Sequence, residues 1–199
     1  MIFPMEYTHL GHDYLDKVNA YQLHSGVDLN YGRPDQDLGK EVKSIANGEV
    51  VFARDTGKGW GCLVVINHPD YGIWSRYTHL LDFRVVVGKK VKEGDVIGHC
   101  GGTGGNWSPH LHFDIIKKEL SSWTKYTSMM SLDKVREYYA EPISYIKNIQ
   151  DSEGVNDWKK EAAAWAVENG ISKSGERPDD PMTRVELWQT LKNYDLLNK

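Results

Sequence analysis

The chain has 199 residues, long enough for one domain of ordinary size and a small appendage. Hydrophobic residues make up 40% and charged residues 26%, which is enough apolar material to close a core, and a net charge of −4 leaves no global basic field to capture nucleic acid or an anionic membrane. No segment approaches the roughly 18–20 consecutive apolar residues of a bilayer crossing, so no membrane span is expected.

The amino terminus, MIFPMEYTHLGHDYLDK, shows no basic leader followed by an apolar segment and a small-residue cleavage site. The expectation is a protein made in the cytoplasm without a visible signal peptide. His9 and His12 fall in an unpatterned leader and read as solvated, and the short polar stretch before His24 shows no inhibitory pro-segment. Short apolar runs follow, at Glu49–Ala53, Cys62–Asn67, Val85–Val87 and Asp95–Ile97, and these read as strands. Turn signals such as Asn47-Gly48, Gly57-Lys58-Gly59, Asp70-Tyr71-Gly72 and Gly101-Gly102-Thr103-Gly104-Gly105 give the cadence of an antiparallel β domain. Cys62 and Cys100 are far apart with no CxxC spacing, so they read as two buried thiols and not as a disulfide scaffold or a cysteine-rich zinc site.

Ser131–Tyr139 predicts a short helix that closes the β domain and is stopped by Pro142. Beyond about residue 150 the pattern turns helical. Asn156 or Asp157 caps a helix through Trp158, Ala162, Trp165 and Ala166 to Gly170; a second starts at Thr183, with Glu186 reaching back and Met182 stapled on Leu187. The predicted fold is mainly β, an antiparallel β-sheet core over residues 1–147, then a linker at 148–154 and a small C-terminal α-helical module at 155–199.

Eight histidines are present, and two local pairings stand out. In His24-Ser-Gly-Val-Asp28, an imidazole and a carboxylate four residues apart project from one face of a strand of period two. In His110-Leu-His112 two imidazoles share a face while Leu111 and Phe113 turn to the core. Donors converging from two strands suit a zinc with three protein ligands and an open fourth position, the chemistry of amide hydrolysis. Each pairing alone is a weak signal; their conjunction with a third histidine, in Tyr77-Thr-His79-Leu80, and with the glycine-rich turn before His110 is a stronger one. Of the others, His68 reads as the cap of a turn, and His99 beside Cys100 as a thiol–imidazole pair lacking the third partner of a cysteine nucleophile.

The ordered set His24-Ser-Gly26-Val-Asp28, Tyr77-Thr-His79-Leu80, the glycine-punctuated run Gly88–Gly104 and His110-Leu-His112-Phe113 resembles the lysostaphin-type, LytM-like zinc endopeptidases that cut the peptide part of bacterial peptidoglycan. The similarity covers roughly residues 20–147. It implies that His24, Asp28 and His112 hold one zinc ion per chain. It also implies that His110 is the general base, and that His79, across the cleft, orients the attacking water or stabilises the oxyanion. Two departures stand out: Asp114 replaces the family's usual Glu after HLHF, and Asn106-Trp107-Ser108-Pro109 replaces its usual small residues. Bond preference is expected to reside in loops around Trp60, Trp74 and Trp107.

Residues 152–194 resemble one surface-layer-homology repeat, with Trp158, Glu161-Ala162, Trp165-Ala166, Gly170-Ile171, Pro181-Met-Thr183-Arg184 and Glu186-Leu187 in matching places. The resemblance implies binding of a secondary cell-wall polymer near Arg184; self-association is the other reading of such a helical pair. The whole layout resembles a phage or prophage endolysin acting at the bacterial wall. A bacterial autolysin, an enzyme of free peptides or proteins, and a non-catalytic wall-binding or regulatory protein are its rivals, the last disfavoured by an intact ligand set.

Overall fold

The computed structural model describes residues 1–128 and 130–168. Its main sheet has eight strands, every neighbouring pair antiparallel. In chain order these are β1 (His9–Leu10), β4 (Val27–Asn30), β6 (Gly48–Asp55), β7 (Cys62–His68), β8 (Ile73–Leu80), β10 (Lys90–Val91), β12 (Leu111–Ile116) and β13 (Tyr139–Ala140). They lie in the order β1-β4-β12-β8-β7-β6-β10, with β13 also pairing β12. A hairpin, β2 (Lys17–Asn19) with β3 (Gln22–Leu23), and a small sheet of β5 (Glu41–Lys43), β11 (Val96–His99) and β9 (Asp82–Phe83) complete the β structure. The mainly β antiparallel architecture is the one expected from the sequence.

Register divides the central strands into two faces. Tyr77 stands opposite Phe113 and Ser75 opposite Ile115, all fully buried. With Leu111, Val27 and Leu29 they form the core, and the Tyr77 hydroxyl accepts from the Ile45 N–H at 3.2 Å. On the other face Thr78 opposes His112, Arg76 opposes Asp114 and Trp74 opposes Ile116. Ile116 belongs there to a second cluster with Leu120, Val135 and Tyr139, which leaves the end near His112 open.

Helix α2 (Leu132–Tyr138) falls where it was expected, capped by the Ser131 hydroxyl and packed through Val135. Three local expectations differ. Val85–Val87 is no strand: Val85 is buried, but Val86 and Val87 are exposed and enter a turn in which Lys89 N–H donates to the Val86 carbonyl. The short helix α1 (Pro34–Asp37) had no sequence signal long enough to read. Pro142 opens a helix, α3 (Pro142–Glu168), since proline suits the first helical turn and the Glu141 carboxylate accepts from the N–H groups of Ile143 and Ser144. Residues 148–154, expected as a linker, therefore lie inside a continuous helix of 27 residues. By backbone packing the chain divides into Met1–Ile146 and Lys147–Lys199. The second predicted helix, with Thr183 and Arg184, lies outside the described residues. Among the described residues no helix is long and apolar enough to cross a membrane.

The leader is patterned after all. Met1 and Met5 are buried, β1 adds a strand beside β4, and the Gly11 N–H and His12 carbonyl bond to the backbone of Asp28.

Candidate metal centre

Asp28 and His112 are direct cross-strand partners on β4 and β12, so their side chains rise side by side from the same face. His24 comes from the loop just before β4 rather than from the strand itself, and curls back over Asp28. The intervening Gly26 explains the spacing: strand β12 passes so close that a Cβ at residue 26 would collide with the Phe113 carbonyl.

The three side chains are buried and their donor atoms form a small triangle. His24 Nε2 lies 2.8 Å from His112 Nδ1, which lies 2.9 Å from Asp28 Oδ1, which in turn lies 3.1 Å from His24 Nε2. The outer nitrogens fix the tautomers. His24 Nδ1 lies 2.9 Å from the Asp13 carbonyl and His112 Nε2 lies 3.1 Å from Asp114 Oδ2, and each partner is an acceptor, so each outer nitrogen carries the proton. Three lone pairs then face one another at hydrogen-bond distance. Such an arrangement is repulsive unless a cation sits among them, and a tetrahedral zinc with bonds of about 2.0–2.1 Å would hold its donors roughly 3.3 Å apart. Two imidazoles, a carboxylate and a buried carboxylate behind one imidazole are a donor set that fits zinc.

The surroundings favour positive charge at this point, supplied by a cation or, in its place, by a proton on the imidazoles. Burial alone would raise the Asp28 carboxyl, but the neighbouring His112 and His24 rings hold it well below the usual carboxylate range. Burial works against charge on His112 too, yet Asp114 and then Asp28 outweigh it and raise that imidazole to about 9.

His110 and His79 complete one wall of the same cleft, a cavity of about 550 Å³. His110 Nδ1 donates to the Ser108 carbonyl at 2.7 Å, which leaves Nε2 facing the centre, 3.8 Å from Asp28 Oδ2. Its ring lies 4.9 Å from that of His79. On a regular strand His79 would follow Tyr77 into the core. Instead the β7–β8 register slips between Cys62 and Val64, leaving an extra residue on β8, and His79 takes a φ of +59°. Its N–H bonds to the Trp60 carbonyl and its carbonyl accepts from the Thr103 N–H, outside the regular ladder. The ring thereby swings to the cleft, where Nδ1 donates to the Thr103 carbonyl at 3.0 Å and Nε2 is left as an acceptor. Burial, followed by the neighbouring His112 and His110, lowers its pKa to about 3, so the ring is neutral.

Trp60 lies beside His79 and His112, buried and stacked on Tyr126 at 4.5 Å, while Trp107, exposed, also lines the cleft with its ring 6.1 Å from that of His79. Trp74 is not among the residues lining the cleft; it packs on Trp123 and, with it, against the cluster of Trp60, Leu63 and Val65. The remaining histidines and thiols are accounted for locally. His9 is exposed, and His12, also exposed, lines the cleft rim. His68 is wholly buried between the Asn47 carbonyl and Ser75 hydroxyl, and its own carbonyl closes the turn to Tyr71. His99 pairs with Asp82 at 2.8 Å and not with Cys100, whose thiol burial pushes up to about 12; Cys62 is partly exposed.

Residues 22–124, just over half of the chain, match the model of peptidase family M23. The chain belongs to that family. A DD-carboxypeptidase/endopeptidase, Mpg, of Neisseria meningitidis is 34% identical over 117 residues, which is 57% of this chain and 25% of that protein. The glycyl-glycine endopeptidase ALE-1 of Staphylococcus capitis is 37% identical over 103 residues, 51% of this chain and 26% of that protein. The chain thus spans about a quarter of the length of these curated relatives. Among solved structures, the catalytic domain of lysostaphin from Staphylococcus simulans superposes with a TM-score of 0.55 at 27% identity, over 70% of this chain and 92% of that one.

Proposed function

We propose that this M23 protein is a zinc-dependent endopeptidase of bacterial peptidoglycan, with His24, Asp28 and His112 as the metal ligands. The observation that carries the reading is the triangle of three mutually facing acceptors beside two further imidazoles whose Nε2 atoms point into one cleft. The names of the relatives, an endopeptidase and a glycyl-glycine endopeptidase, support it.

Zinc held there supplies a Lewis acid that polarises a carbonyl and acidifies water. The chain's own residues do the rest. His110, with its Nδ1 proton committed to Ser108, offers the Nε2 lone pair that takes a proton from the attacking water. His79 is neutral, and its Nε2 is likewise an acceptor, so it orients that water by receiving a hydrogen bond; stabilising an oxyanion would first require a proton there. The stacked Trp60 and Tyr126, with Trp107 also on the cleft lining, offer an aromatic surface on which the peptide lies.

The C-terminal segment 155–199 is proposed, on its sequence resemblance alone, as a wall-targeting module with Arg184 at the polymer site. The lytic, endolysin-like deployment is proposed on that layout. The deciding experiment digests several purified peptidoglycan types with the zinc-loaded protein and a chelated control, then reads released fragments by mass spectrometry. New amino termini at one defined bond, lost on chelation, support the reading; no cleavage of any type by fully zinc-loaded protein refutes it in favour of a binding or regulatory role.

A further inference from the structure

The main sheet buries a complete guanidinium beside the cleft. Arg76 is fully buried on β8, and a buried cation costs more than an apolar side chain of the same volume unless its donors are used. Each of its three nitrogens has a partner. Nε donates to Asp114 Oδ2 at 2.6 Å, the same oxygen that receives His112 Nε2. Nη1 donates to the Trp123 carbonyl at 3.0 Å and the Lys125 carbonyl at 3.3 Å, and Nη2 reaches the Ser25 hydroxyl, next to His24, at 3.4 Å. The plane covers the Trp60 ring, its carbon 4.2 Å from the centroid, and Trp60 in turn stacks on Tyr126 and donates to the Thr124 carbonyl.

We propose that Arg76 is a positioning residue serving two parts of the site at once: through Asp114 Oδ2 it orients the His112 imidazole, and through the carbonyls of Trp123 and Lys125 it holds the chain segment that presents Tyr126 to the cleft. Only a planar fork meets both demands. A lysine ammonium supplies a charge for Asp114 but neither the spread of donors nor the face that lies on Trp60. A carboxylate on a ligand imidazole fixes its ring orientation and raises its basicity, which links Asp114 to metal affinity; the brace on residues 123–125 links Arg76 to substrate binding.

The two functions separate by substitution. Arg76→Lys should leave zinc affinity, measured by competition with a chromophoric chelator, close to wild type. It should also speed amide hydrogen exchange in residues 122–128 by about tenfold or more and raise KM several-fold with a smaller effect on kcat. Asp114→Asn should lower zinc affinity about 10–100-fold and leave exchange in 122–128 unchanged. Loss of zinc affinity in Arg76→Lys with the segment still protected would overturn the proposal, as would no change in either property. If Arg76→Lys does not fold, Arg76→Gln with Asp114→Asn removes both charges together and avoids a lone buried ion. Both properties should then fall, and retention of either would overturn the proposal. The KM arm rests on the peptidase reading; the zinc and exchange arms do not, so absence of cleavage by the wild type would refute that reading and leave this one decidable.

Discussion

His112 and Asp28 stand opposite each other on neighbouring antiparallel strands, and their facing atoms Nδ1 and Oδ1 lie 2.9 Å apart. That relationship makes the site a property of the sheet's register. A slip of one residue between β4 and β12 would put the two side chains on opposite faces of the sheet and break the cluster.

If His110 is the base and not a ligand, its removal separates chemistry from metal binding. His110→Ala should retain one zinc per chain and lose about 10²–10⁴-fold in kcat on a peptidoglycan peptide. Unchanged cleavage would refute the assigned role, and lost zinc would make His110 a ligand.

The His79 ring should stay neutral through the working range of pH. Its pKa is lowered to about 3 from 6.5, so between those values the unfolded chain binds a proton that the folded chain refuses. Its contribution to stability is therefore lost progressively as pH falls from about 6.5 towards 3. Imidazole NMR should show no titration of His79 down to about pH 4, and His79→Gln should reduce the acid sensitivity of urea unfolding; a midpoint near 6.5 would contradict this.

Gly26 is demanded by the close approach of β12 and not by turn geometry. Gly26→Ala should cost about 3 kcal/mol in urea unfolding, because the backbone of Phe113 cannot give way without moving its neighbour His112. A change under about 0.5 kcal/mol would show that the strand has room.

Arg184 is tested by retention. If segment 155–199 targets the wall through that residue, Arg184→Ala should lower co-sedimentation of the full chain with purified wall sacculi, and equal retention would remove Arg184 from the polymer site.

Much of this centre was legible because its parts are local in sequence. HxGxD and HxH place their donors within a few residues of one another, and short apolar runs such as Cys62–Asn67 announce the sheet that joins them, although His24 reaches the cluster from a loop and not along the strand. What was not legible depends on pairing. His79 reaches the cleft through a bulge and a positive φ that no glycine marks. Asp114 reads as a mild departure from a motif until register sets Arg76 opposite it, and Arg76 itself has no local signal. The leader, polar and without periodicity, seats the Asp13 carbonyl on His24 through tertiary bonds alone. Pro142 was read as a stop, although proline serves equally as the first residue of a helix when a carboxylate caps it.

The account rests above all on three residues holding one ion, and its most direct test is zinc stoichiometry with absorption spectroscopy at the zinc edge, on wild type and Asp28→Ala. The prediction is one zinc per chain in the wild type, with two imidazoles and a carboxylate in its shell at about 2.0–2.1 Å, and loss of that ion in the variant. A zinc retained by Asp28→Ala with an unchanged spectrum, or a shell without two imidazoles in the wild type, would contradict it.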